Sequence, residues 1–168
     1  MNSDVPTGTL LRTLAASKPG GSLLELGTGC GLGTSWILDG MDAASWLTSV
    51  DTDATMQAFA HEELAADTRL RLVLEDGSAF LAREQQPYDL IYADAWPGKF
   101  SDLDRALALV KPGGIYVVDD MLPQPNWPAD HAPKAAALIE RLLALDGFES
   151  TWLEWSTGLI ICVKSFPN

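Results

Sequence analysis

The chain has few cysteines, few basic residues and no long apolar run. Two cysteines, Cys30 and Cys162, among 168 residues are too few for a disulfide framework or a zinc cluster, and both are read as reduced thiols. Eleven Lys and Arg against 23 Asp and Glu leave a net charge of -12, which repels phosphate backbones and anionic lipid heads and argues against a nucleic-acid partner. No segment approaches the roughly 20 apolar residues of a membrane span, and Met1 to Val5 lacks the basic start and apolar stretch of a signal peptide. The expectation is a cytoplasmic protein without membrane contact. Internal repeats and low-complexity tracts are absent too. What is present is a 47% hydrophobic content, enough for one full core in a chain of this length, so one domain over 1–168 is expected.

Short apolar runs alternate with longer stretches of helical period, the signature of an α/β fold with a doubly wound, mostly parallel sheet. Strands are expected at Ser22–Leu26, Trp46–Val50, Leu70–Leu74, Tyr88–Ala93, Gly114–Asp119, Phe148–Trp155 and Leu159–Lys164. Helices are expected at Thr9–Ser17, Gly33–Leu38, Ala54–Ala66, Ser78–Glu84, Ser101–Val110 and Ala132–Leu145. Pro112-Gly113-Gly114 and Asp146-Gly147 punctuate helix ends. Ser156-Thr157-Gly158 is too short for a crossover helix, so the last two strands should form an antiparallel hairpin. The loop Met121–Pro133 holds four prolines and Trp127.

The first strand runs into Glu25-Leu26-Gly27-Thr28-Gly29-Cys30-Gly31. In an open α/β sheet a ligand sits beyond the carboxyl ends of the strands, where glycines let it touch backbone and helix starts offer N-H groups. The dinucleotide pattern G-x-G-x-x-G fails because its third glycine falls on Leu32, which disfavours a nicotinamide-dependent oxidoreductase. A carboxylate at Glu25 favours a cationic ligand over a phosphate.

This run resembles motif I of the class I S-adenosylmethionine-dependent methyltransferases, and the likeness extends from about Pro6 to Lys164. It implies a Rossmann-like seven-stranded sheet of order 3-2-1-4-5-7-6 with a reversed last strand. It implies S-adenosylmethionine held by Glu25, Gly27, Thr28, Gly29 and Gly31, by Asp51 and Thr52 at the ribose, by Asp76, Gly77 and Ser78 at the adenine, and by Asp94. A finer resemblance, to the catechol and caffeoyl-coenzyme A O-methyltransferases, implies that Asp94, Asp119 and Asp120 hold Mg2+ or another divalent cation beside the hydroxyl of a small-molecule acceptor. The chain departs from that group where a lysine should follow Asp94 by three positions: Pro97 stands there, and the nearest lysine is Lys99. Lys99 is therefore the leading base candidate, with His131 in reserve and Asp94 beside them. Relatives of this kind are often homodimers. Metal-free methyl transfer to a carboxylate, nitrogen or carbon, and binding of the cofactor without chemistry, are the alternatives.

Several of these residues have a structural reading beside the functional one. Asp53 or Thr52 can cap the helix from Ala54 while Asp51 binds. Trp36, Trp46 and Trp152 belong to elements and are read as core, whereas Trp96, Trp127 and Trp155 are placed near a substrate.

Overall fold

The structure is a computed structural model that describes residues 4–125, 127–128 and 130–167; residues 1–3 and 168 of the expected domain lie outside the described residues. Seven strands alternate with six helices: α1 (Val5–Ala16), β1 (Ser22–Leu26), α2 (Leu32–Gly40), β2 (Trp46–Asp51), α3 (Ala54–Leu64), β3 (Leu70–Leu74), α4 (Gly77–Arg83), β4 (Tyr88–Ala93), α5 (Leu103–Ala108), β5 (Val110–Val118), α6 (His131–Leu143), β6 (Phe148–Leu153) and β7 (Leu159–Lys164). They form one sheet of order β3-β2-β1-β4-β5-β7-β6. β1, β2, β3, β4 and β5 run parallel, and β7 lies antiparallel to both β5 and β6. The expected topology and terminal hairpin are those observed.

Strand alternation divides the core between the two sheet faces. Leu24 and Leu26 of β1, with Ile91 of β4, enter the cluster built with Phe80, Ala106 and Leu138 of α4, α5 and α6. Leu23 and Leu90 point the other way, into a cluster with Leu11 of α1 and Ile37 of α2. Glu25 follows the Leu23 parity, so its carboxylate is turned under α2. No helix among the described residues is long and apolar enough to cross a membrane.

Several boundaries differ from expectation. α1 begins at Val5, not Thr9, because Asp4 accepts the Thr7 N-H at 2.9 Å and Pro6 occupies the first turn, where its missing donor costs nothing. α5 ends at Ala108 and β5 starts at Val110: the Tyr88 N-H donates to the Leu109 carbonyl, and the strand continues through Lys111-Pro112-Gly113 with a register shift opposite Tyr88 and Leu90. β6 stops at Leu153 because a turn closed by the Gly158 N-H on the Trp155 carbonyl follows.

Candidate active site

At the carboxyl ends of the central strands lies a cavity of about 270 Å³ lined by the β1–α2 turn, the ends of β2 and β3 and the segment after β4. This is the position that an open parallel sheet reserves for ligands. Of the residues expected there, Glu25, Gly27, Thr28, Gly29, Asp51, Thr52, Asp76, Gly77 and Asp94 line it.

The glycine turn is close-packed. A Cβ on Gly27 would lie 2.8 Å from the Asp94 carbonyl oxygen, and Gly27 has φ +103°. A Cβ on Gly31 would lie 2.9 Å from that of Ala60 in α3, at φ +89°. Gly31 thus serves the packing of α2 on α3 and is not among the lining residues.

Glu25 is fully buried. Register places Ser49 beside it on β2, and the hydroxyls of Ser49 and of Thr34 in α2 both donate to its Oε2. Thr28 and Ser49 share a further hydrogen bond at 2.7 Å. Glu25 therefore ties β1, β2, the glycine turn and α2 together. Its Oε1 is buried with no hydrogen-bond partner. Burial pushes the carboxyl up to about 8, against the two hydroxyl donors and with a smaller upward push from Asp94 and Asp51.

Asp51 closes the turn from the other side: its Oδ2 accepts the Gly29 N-H at 2.7 Å and its Oδ1 the Asp53 N-H at 2.8 Å. Asp53, not Thr52, caps α3 by accepting from the Thr55 and Met56 N-H groups. Asp76 caps α4 through the Ala79 N-H at 3.0 Å and is otherwise exposed at the cavity rim. Gly77 lies against Pro97, 2.8 Å from an added Cβ to that ring. Ser78 is not a lining residue.

Asp94 directly follows β4 at the cavity. Burial holds its carboxyl up to about 7; Lys99 opposes that rise, and Asp119 and Asp120 add to it. Lys99 itself is 6% exposed, with Nζ donating at 2.6 Å to the Asp119 carbonyl. His131 is buried at the start of α6, between Trp127 (ring centroids 4.3 Å apart), Phe100 (5.0 Å) and Trp96 (5.8 Å). Trp96 is half exposed, with Lys134 Nζ 5.0 Å above its ring. Trp155 sits in the turn between β6 and β7.

The residues expected to hold a metal are differently engaged. Asp119 Oδ2 accepts the Tyr92 hydroxyl at 2.7 Å, and Oδ1 accepts the Thr157 hydroxyl and, at 2.6 Å, the Asp120 N-H. Asp120 has φ +62° and a buried Oδ1 without a hydrogen bond. Among the described residues no three His, Cys, Asp or Glu side chains are grouped so as to hold a metal ion.

Leu32, Gly33, Val50, Ala95 and Pro97 also line the cavity and were not foreseen. Val50 precedes Asp51, while Ala95 and Pro97 flank the Asp94 turn; nearness in sequence to the acids was their one available signal.

Residues 24–121 match a family profile described as a methyltransferase domain. A protein of Mycobacteroides abscessus, named as a candidate O-methyltransferase, is 29% identical over 169 residues, covering 94% of this chain and 78% of its own length. One of Mycobacterium avium with the same name is 33% identical over 118 residues, 66% of this chain; the match spans only 53% of that relative. The crystal structure of the O-methyltransferase TomG of Streptomyces achromogenes, in complex with S-adenosylmethionine, superposes with TM-score 0.82 at 20% identity, over 97% of this chain and 81% of the other.

Proposed function

Because the chain belongs to the methyltransferase domain family, we propose that it transfers a methyl group from S-adenosylmethionine to a hydroxyl oxygen of a small molecule. The carrying observation is the cavity itself, where Gly27, Gly29, Asp51, Asp76 and Asp94 converge from four strand ends. Its volume is near the roughly 300 Å³ lower end of small-molecule sites, and it opens to solvent. The O-methyltransferase names of relatives and the cofactor held by TomG support the choice of donor and acceptor atom.

When bound, the donor supplies an electrophilic methyl on a sulfonium centre; the protein supplies position. The Glu25 network sets the glycine turn, whose bare backbone admits close approach. Asp51, already holding the Gly29 N-H, offers its carboxylate to the ribose hydroxyls, and Asp76, free of burial, offers its own to the adenine amine. Leu32, Val50 and Pro97 provide apolar walls. Of the three base candidates, Asp94 alone lines the cavity, and a carboxyl with a pKa of about 7 exchanges protons readily at neutral pH. Lys99 commits a proton to the Asp119 carbonyl, and His131 is enclosed by rings, so we assign these two to positioning. Transfer breaks the carbon–sulfur bond, forms the carbon–oxygen bond and sends the acceptor proton to Asp94. Orientation at near-attack distance is the largest contribution that such a site makes. We place the reaction in the cytoplasm, in agreement with the reduced thiols, and within a single domain.

The test is transfer of labelled methyl from S-adenosylmethionine to a panel of phenols, catechols and aliphatic alcohols. Label in an ether product, lost in Asp94→Asn, is the expected result; no ether product from this panel, with label found only in added carboxylic acids or amines, would refute the hydroxyl acceptor.

A further inference from the structure

The acidic set that the catechol-type resemblance assigns to a divalent ion is already furnished with a cation from the chain. Lys99 is buried, and the carbonyl its Nζ binds at 2.6 Å belongs to the peptide joining Asp119 to Asp120. Meanwhile the Asp119 oxygens are already engaged. Both oxygens of Asp119 accept hydrogen bonds, from Tyr92 on one side and from Thr157 and the Asp120 N-H on the other. Asp120 Oδ1 is the buried oxygen of this pair that lacks a hydrogen bond. One such oxygen, with Asp94 beyond it, is a poor start for the octahedral oxygen shell of a magnesium-like ion. A second cation on that pair would also sit close to a buried ammonium, where like charges repel far more than in water.

We propose that the Lys99 ammonium is the resident cation of the Asp94, Asp119 and Asp120 set and stands in place of a divalent metal. Lys99 is then a positioning residue, not the base: it fixes the Asp119–Asp120 peptide and compensates the carboxylates around it. The inference deepens the methyl-transfer reading given above, yet it is tested without turnover, so the failure of either is distinguishable from failure of the other.

The experiment titrates the intact chain with Mn2+, followed by loss of the free-ion electron paramagnetic resonance signal, for the native protein, Asp120→Asn, Lys99→Met and Lys99→Met with Asp120→Asn. The native chain is expected to show no Asp120-dependent binding below about 1 mM, whereas in Lys99→Met the nearby positive charge is gone and the unbonded Asp120 oxygen can hold an ion that keeps most of its water shell. That variant should bind at least about tenfold more tightly than the native chain, since one nearby positive charge has gone, and Asp120→Asn should abolish the gain. Native binding below about 1 mM that is lost in Asp120→Asn overturns the proposal; so does Lys99→Met binding no tighter than the native chain. If Lys99→Met does not fold, the native and Asp120→Asn titrations decide alone: Asp120-dependent binding overturns the proposal, and its absence over that range upholds it.

Discussion

Glu25 and Asp94 are carboxyls whose ordinary ionisation the fold opposes, and each carries a pH prediction. Glu25 has its folded pKa raised from 4.5 to about 8. The folded state thus binds the proton more tightly than the unfolded chain, and the stability gained is fully present below the unfolded value and lost as pH rises through the folded one. Stability should fall between about pH 5 and about pH 8.5 by on the order of a few kcal/mol, with Asp94 contributing in the same direction. Denaturant unfolding of Glu25→Gln should show a clearly smaller fall, because Gln keeps an acceptor for Ser49 and Thr34 without the titration; an undiminished fall would remove Glu25 as its source. Asp94 as base must be ionised, so kcat/KM should rise with pH and level above about 7. Asp94→Asn should cost roughly 10²- to 10⁴-fold in rate, the usual range for a positioned base. A flat profile, or an Asn variant close to native, would pass the proton to another group.

At the scale of elements, the turn from β2 into α3 separates two roles that three adjacent residues blur. Asp53 caps α3 and Asp51 faces the cavity, so Asp53→Ala should cost about 1 kcal/mol of stability and leave ligand affinity unaltered. Equilibrium unfolding and ligand titration of that variant check both halves; loss of affinity would return Asp53 to the site. Much of this organisation was legible in the sequence, because Glu25, Asp51, Asp76 and Asp94 stand at the ends of β1, β2, β3 and β4, or next to them, where alternation stops and turn residues begin. Long-range partnership was not legible. The Glu25 partners Thr34 and Ser49 depend on register and on how α2 docks, and the Thr157 hydroxyl on Asp119 comes from 38 residues away. Pro112-Gly113-Gly114 read as the end of a helix, yet the pairing of Tyr88 with Val110 carries β5 across it. Asp4 lay outside every element expected from the sequence, yet the Ser156 hydroxyl donates to it at 2.6 Å from the far hairpin.

Over the whole molecule, two apolar clusters clamp the sheet while its carboxyl edge gathers acids beneath a cavity. That acidity suits a cationic ligand. The relatives named as candidate O-methyltransferases extend beyond the part this chain matches, by about half its length in the Mycobacterium avium protein. The glycine turn with Asp51 is the proposed cradle of a sulfonium nucleoside. Its most direct test is calorimetric titration of the chain with S-adenosylmethionine and S-adenosylhomocysteine, beside Asp51→Ala. One-to-one binding of both is expected, weakened roughly 10- to 100-fold in Asp51→Ala, as for loss of about 1.5–3 kcal/mol from hydrogen bonds to a charged group. Absence of binding by either ligand to the folded native chain would contradict it.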